Sequence, residues 1–397
     1  MRIMIISHSF GEDASGMVVE SMANALAERN TVDIYTINFK PSITPIVNKV
    51  EQYKYPIYGV PYTKYLSLSI RLFGKDFLSN FVISSIINDI KGIKYDIVLS
   101  FVYGFYYIGA LAGNMVKEKL QIPHFSYFID PIPAPEGWLK PNMFYRRLKT
   151  YTRDFSQKID KIALSNFKMV EYQRTIIDHN NMSVLYTPTR NSKLLNLPRE
   201  NDGIKRFLYT GTIYGLRNPK FLLKAFEKLI SKGVNAELLF VGTAGLSIYL
   251  DGLSEEARRY VKVYPRTNDL MQYYKLSDVL LDIDADIPDD VFISSKIINY
   301  LSVPKPIISQ TRENSPSDQM FRHCNTILQA RFSVNSMYET MLSSIDEDYI
   351  YNYEERDILL KQFDIKTISK QLENYLRLMV NDNEAYDSDS YSRDFKS

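Results

Sequence analysis

From its first residues the chain alternates short apolar runs with longer stretches in which apolar positions share one helical face. Residues 3–7, Ile3-Met4-Ile5-Ile6-Ser7, predict a buried parallel strand. Val18, Val19, Met22, Ala23 and Leu26 then fall on one side of a helix expected over 16–29. Strands at 32–37 and 97–101, a helix at 106–119, and strands at 123–128, 161–164 and 183–186 continue the alternation. Segment 187–205 is polar, is broken by Pro188 and Pro198, and reads as a linker. The pattern restarts with strand 206–209, helix 219–232, strand 236–241, a helix near 246–259, strand 261–264 and helix 268–275. Strand 279–282, helix 295–301 and strand 306–309 complete the second series.

This is an α/β pattern of two Rossmann-like domains, at 1–190 and 191–364, each a parallel sheet covered by helices through right-handed crossovers. Two such units imply an interdomain ligand cleft at the carboxyl ends of the strands. An amphipathic helix is expected over 365–379. Residues 380–397, rich in Asp, Ser, Asn and Tyr, read as a disordered tail.

Composition narrows the function classes. A net charge of +2 over 397 residues argues against a nucleic-acid binder driven by global charge. The single cysteine, Cys324, allows no internal disulfide and fits a reducing cytoplasm. No apolar run approaches the roughly 20 residues that span a bilayer, and the apolar start is too short for a signal peptide. The 30 Tyr and 21 Phe either reflect compositional bias or line a groove for sugars or lipids.

Three turns carry candidate chemistry. In Ser9-Phe10-Gly11-Glu12-Asp13-Ala14-Ser15-Gly16, glycine lets a ligand approach the backbone and the following helix offers unpaired N–H groups to anions. It lacks the G-x-G-x-x-G spacing of nicotinamide binders, and a plain βα loop explains it equally. In Tyr209-Thr210-Gly211-Thr212-Ile213-Tyr214-Gly215-Leu216-Arg217-Asn218-Pro219, Arg217 precedes a helix and can hold a diphosphate by paired hydrogen bonds, or be a solvated arginine. In Ser294-Ser295-Lys296, hydroxyls, amides and an ammonium at a helix start can converge on phosphate, or the serine simply caps the helix.

The ordered set of these pieces resembles the GT-B glycosyltransferases, specifically the large retaining family 4, the glycosyl transferases group 1. Asp160-Lys161-Ile162-Ala163-Leu164-Ser165, the 209–225 segment, Val241-Gly242, Tyr273-Tyr274-Lys275-Leu276-Ser277-Asp278-Val279, and the run from Ser295-Lys296 to Pro306-Ile307-Ile308 match its motifs in order over most of the chain. The resemblance implies a C-terminal helix crossing back to the first domain. It also implies donor-diphosphate contacts at Arg217, Lys296 and Ser295, with Thr212 in the same turn, Arg266 near the base and Gly16 at the backbone approach. The family's paired glutamates fall at Val291 and Asn299. Asn299 retains hydrogen-bonding capacity toward the ribose, and Asp289 or Asp290 is the candidate stand-in for the sugar-side carboxylate. The acceptor-side histidine is replaced by Ile129, which makes the adjacent Asp130 the candidate acceptor-binding group or base, against a loop aspartate opening a turn before Pro131.

No cofactor or metal is expected beyond the nucleotide-sugar donor, a UDP-sugar being favoured; in such enzymes cationic side chains stabilise the leaving diphosphate. Asp282-Ile283-Asp284 carries the D-x-D signature of another transferase fold, a pattern short enough to arise by chance. The four histidines show no metal-ligand spacing. Segment 138–161 interleaves basic and aromatic residues and fits either an anionic membrane surface or a solvated helix; the aromatic stretch 55–81 fits an acceptor side. The expected function is a cytoplasmic hexosyltransferase of bacterial surface polysaccharide synthesis, peripheral to the inner face of the membrane, acting on a glycan or lipid-linked acceptor. Two alternatives stand beside it: a non-catalytic nucleotide-sugar-binding subunit partnering an active transferase, and a UDP-sugar 2-epimerase.

Overall fold

The structure is a computed structural model describing residues 1–394 apart from 12, 58, 59, 190, 192, 198–201 and 268. It divides into two compact units, Met1–Pro188 with Ile365–Ser397, and Thr189–Asp364.

The first unit runs β1 (Arg2–Gly11), α1 (Ala14–Ala27), β2 (Thr31–Lys40), β3 (Lys49–Gln52), α2 (Tyr62–Phe73), α3 (Leu78–Asp89), β4 (Ile97–Val102), α4 (Ile108–Leu120) and β5 (His124–Phe128). It continues with α5 (Met143–Ser156), β6 (Lys161–Leu164), α6 (Phe167–Arg174) and β7 (Met182–Val184). The strands pair in parallel in the order β3-β2-β1-β4-β5-β6-β7. Strand β1 is almost wholly buried, as its unbroken apolar run requires when both faces carry helices. Strand β3 gave no apolar signal because Val50 is its only aliphatic residue and it lies at the sheet edge, half exposed. The aromatic stretch 55–81 proves to contain α2 and the start of α3.

The second unit runs β8 (Lys205–Thr210), α7 (Lys220–Ser231), β9 (Ala236–Val241), α8 (Ser247–Leu250), α9 (Glu255–Arg259), β10 (Val261–Tyr264), α10 (Met271–Leu276) and β11 (Val279–Ile283). Then follow α11 (Ser295–Tyr300), β12 (Ile307–Gln310), α12 (Pro316–Phe321), β13 (Ile327–Ala330), α13 (Val334–Ser344) and α14 (Tyr353–Gln362). The parallel order β10-β9-β8-β11-β12-β13 is that of a dinucleotide-binding half-and-half sheet, with its reversal between β8 and β11. The helix expected near 246–259 is two short ones, because Gly252 interrupts it and Ser254 caps the second, accepting from the Ala257 N–H at 3.3 Å. Strand β13, at the sheet edge and only partly buried, extends the sheet beyond β12.

The last helix, α15 (Ile365–Asp394), belongs to the first unit. Ile368, Leu372 and Leu376 recur every four residues, are fully buried, and join the core formed by β1, β4 and α1. Arg29 donates to the Glu373 carboxylate at 2.7 Å and Asn30 donates to it at 3.2 Å. The helix passes beyond the expected 379, since no Pro or Gly occurs between 380 and 394; residues 395–397 of the expected tail lie outside the described residues.

Candidate functional site at the second sheet's switch point

In an open parallel sheet, ligands bind beyond the carboxyl ends of the strands where the strand order reverses. In the second unit that point lies between β8 and β11. Three chain segments meet there. The 211–219 turn leaves β8, the 284–294 loop leaves β11, and an antiparallel bridge between Arg217 and Ala285 ties the two together. The third is the start of α11, where the Ser294 hydroxyl accepts the Lys296 N–H at 3.2 Å.

Arg217 and Lys296 are brought together. Arg217 is only 7% exposed, and its guanidinium carbon lies 5.3 Å from the centre of the Tyr214 ring. Lys296 extends across Gly211, and its Nζ lies 5.3 Å from the Tyr209 ring centre. Gly211 has φ +90, and a Cβ there would meet the Lys296 Cε at 3.2 Å. The glycine therefore provides both the left-handed turn and the room for the lysine stem. Among the described residues, neither cation has an ion pair or a side-chain hydrogen bond, and the Arg217 Nε is buried without a partner. Burial, then the Arg217 charge, push the Lys296 ammonium down to about 8, while Asp282 and Asp284 act in the opposite sense. Burial pushes Arg217 down, but Tyr214, Asp282 and Asp284 outweigh it and raise the guanidinium above its ordinary value.

The two aspartates are part of this site. Asp282 is the penultimate residue of β11 and Asp284 follows its end, two residues on, so both side chains leave the same side of the chain. They are 1% and 4% exposed, and both Asp282 oxygens and the Asp284 Oδ2 lack a hydrogen-bond partner among the described residues. Burial, then the Asp282 charge, push the Asp284 carboxyl up to about 7, with Arg217 opposing. Ser309 and Gln329 lie level with Asp282 on β12 and β13, and each also has an unpartnered buried polar side-chain atom. Sequence reasoning set these acids aside as a chance D-x-D. Their strand-end position, with two acids on one face of a buried run, was the available signal. No group of three or more His, Cys, Asp or Glu side chains among the described residues is placed to hold a metal ion.

The other expected donor contacts distribute unevenly. Ser295 is exposed at the first position of α11, and Thr212 is exposed in the turn, where its carbonyl accepts the Tyr209 hydroxyl at 3.3 Å. Arg266 is exposed and packs its backbone beside Gly242, at the end of β9. Asp290 is 9% exposed and accepts the Phe292 N–H at 3.3 Å. The Asn299 amide donates to the Ser295 carbonyl at 2.7 Å, so one of its donors is used within its own helix. Val291 is buried.

In the first unit, Gly16 lets two stretches of backbone approach closely. A Cβ on it would lie 2.2 Å from the Gly11 carbonyl oxygen, so its absence lets the turn fold back on β1. The Gly16 N–H donates to the Asp13 carboxylate at 2.7 Å, which caps α1. Asp130 follows β5; burial pushes its carboxyl up to about 6, against the Gly104 N–H that stabilises its charge. At the opposite end of β5, Ser100 of β4, His124 of β5 and Asn114 of α4 are linked at 2.8 and 2.9 Å in the order of a nucleophile relay. All three are buried, and burial pushes His124 down to about 3, which marks this as a neutral core network rather than a reactive one.

No protein-family model and no curated protein matches the chain by sequence. Solved structures match its fold. A glycosyltransferase from Rickettsia africae ESF-5 superposes with TM-score 0.67 at 12% identity, over 96% of this chain and 99% of that one. Anabaena Alr3699/HepE in complex with UDP-glucose gives 0.63 at 12%, over 95% and 99%. The lipopolysaccharide outer core galactosyltransferase WaaB, in its apo form, gives 0.63 at 16%, over 94% and 98%. The chain has the GT-B fold of two parallel α/β sheets.

Proposed function

We propose that the chain is a glycosyltransferase that moves a hexose, with retention, from a UDP-sugar to a glycan or lipid-linked acceptor in bacterial surface polysaccharide synthesis. The observation that carries this reading is the pair Arg217 and Lys296, which faces the switch point of the second sheet without a protein ion-pair partner. A leaving nucleoside diphosphate gathers negative charge as the glycosidic bond breaks. Two preorganised cations in a mostly buried setting stabilise that charge more in the transition state than in the ground state. The exposed Ser295 hydroxyl and the Thr212 turn offer further donors to the same group. Asp130, with its carboxyl near 6, is suited to hold or accept a proton at an acceptor hydroxyl. The fold shared with a structure holding UDP-glucose supports the choice of a uridine donor.

The test is turnover. Arg217→Ala and Lys296→Ala should each lower transfer about 100-fold or more, the scale for losing one preorganised charge contact, while circular dichroism stays unchanged. Unaltered turnover in both variants overturns the donor-site assignment. Thermal-shift screening with UDP-, GDP- and dTDP-sugars identifies the nucleotide, because a ligand that binds only the native state raises Tm.

One observation favours the second reading, a nucleotide-sugar-binding subunit without activity of its own. The Val291 side chain cannot hydrogen-bond a sugar hydroxyl, and one donor of the Asn299 amide is engaged with the Ser295 carbonyl. Stabilisation by a UDP-sugar with neither transfer nor slow hydrolysis would select that reading.

A further inference from the structure

At the amino ends of the strands of the second sheet, opposite the switch point, lies a cavity of about 510 Å³. Pockets that hold small-molecule ligands measure about 300–1,000 Å³. All the residues that line it belong to the second unit. They include Lys205 at the start of β8 and Pro306 just before β12, which sets the cavity roughly 17 Å along the strands from the Arg217 and Lys296 site.

Three tyrosines at alternate positions, Tyr349, Tyr351 and Tyr353, line this cavity. Their rings follow one another with centres 4.7 and 6.4 Å apart. Ile350, between the first two, is 86% exposed. Packing alone would bury the isoleucine and turn the more polar rings outward. The rings are also held in place. The Asn325 side-chain amide donates to the Ile350 carbonyl at 3.1 Å and accepts the Asn352 N–H at 2.8 Å, which pins the segment. The Tyr351 hydroxyl donates to the Ser344 carbonyl at 3.0 Å, and the Tyr349 hydroxyl to the Asn325 carbonyl at 3.4 Å. The fully buried Arg356 guanidinium lies 5.3 Å from the Tyr353 ring centre. A ligand therefore meets rings that are already ordered, and little side-chain entropy is lost on binding.

Charge and polarity specify the ligand. Two cations, Lys205 and Lys305, share the lining with three carboxylates, Asp278, Asp346 and Glu347. Lys205 pairs with Glu347 at 2.9 Å. A phosphate or other anion finds no excess of positive charge here, and an acyl chain would take water from the carboxylates without replacing it. Carboxylate acceptors beside fixed rings suit a sugar. Its apolar C–H face packs on a ring, while the hydroxyls at its edge donate to carboxylates. Three rings in succession extend beyond one sugar unit, which favours a chain of sugars over a single one.

We infer that this cavity is a second carbohydrate site, for a neutral oligosaccharide, separate from the donor site. It uses side chains at the opposite end of the sheet and does not depend on the transferase reading. The full chain should bind at least one of maltohexaose, cellohexaose and laminarihexaose in saturation-transfer NMR and calorimetric titration. Excess UDP should leave that binding unchanged. The variant Tyr349→Ala/Tyr351→Ala should weaken it at least about 10-fold, whereas Tyr349→Phe, which keeps the ring, should change it less than about twofold. Unchanged thermal unfolding verifies that the double variant folds. If it does not, Tyr349→Ala, at a position 39% exposed, carries the test with a loss of about threefold or more. Binding of none of the three oligosaccharides, undiminished binding by the alanine variant, or displacement by UDP overturns the inference.

Discussion

The two sheets share a strand order but finish their switch points differently. Between β1 and β4 the first unit closes the space with its own groups. The Ser9 N–H donates to the Tyr103 hydroxyl at 2.7 Å, and the His8 ring stacks on Tyr106 at 3.7 Å. Burial pushes that histidine down to about 4, so it is neutral. The adjoining helix start is occupied by the Asp13 carboxylate, which takes the N–H otherwise open to an anion and adds a negative charge of its own. Between β8 and β11 the second unit does the reverse, leaving Arg217, Lys296, Asp282 and Asp284 near one another without a hydrogen-bonded ion pair. The same topology thus yields one switch point closed by hydrogen bonds and stacking and one where, among the described residues, these charged side chains form no hydrogen-bonded ion pair.

The glycines of the two turns break or uphold that contrast most strongly. Gly16→Ala should destabilise the first unit by about 3 kcal/mol, because its Cβ would enter the Gly11 carbonyl 2.2 Å away and backbone must move. Gly211→Ala should cost about 1–2 kcal/mol from its positive φ, and should weaken nucleotide binding by displacing Lys296. Urea titrations of the two variants test the ranking; equal losses would mean that both turns are closed by packing.

The next effect is on pH dependence. Lys296 is charged below about 8, and a diphosphate prefers that form, so UDP affinity should fall as pH rises through about 8. Lys296→Arg keeps its charge over this range and should flatten the decline in calorimetric titrations. The smallest effect concerns Asp284. Its carboxyl is raised from 3.8 to about 7, so between those values the folded state holds a proton that the unfolded chain has released. Its favourable contribution is full below that window and lost as pH rises through about 7. Asp284→Asn should therefore raise Tm more above pH 7 than in mild acid. A uniform change across pH would show that Asp284 is paired.

Period and composition revealed the buried strands and the restart of the pattern after 187–205, because a strand covered on both faces must be apolar throughout. They did not reveal β3 or β13, whose edge positions need little apolar surface. They also missed α2, whose aromatic residues read as part of an acceptor-side lining although its Tyr62, Leu66, Ser69 and Ile70 are buried. Within the site, Arg217 and Lys296 were visible because each stands at the start of a predicted helix. The roles of Gly16 and Asp282 were not. One depends on the distance to a carbonyl five residues earlier, and the other on which strands lie side by side, and neither follows from local spacing.

Helix α15 has a consequence for how the chain is made. Ile368, Leu372 and Leu376 fill the core of β1, β4 and α1, yet they leave the ribosome only after the whole of Thr189–Asp364. The second unit has its entire sequence available first, while the first to be translated waits with an apolar face uncovered. The order of synthesis and the order of completion are thereby inverted. During that interval the earliest-made half is the one that most needs shelter from aggregation.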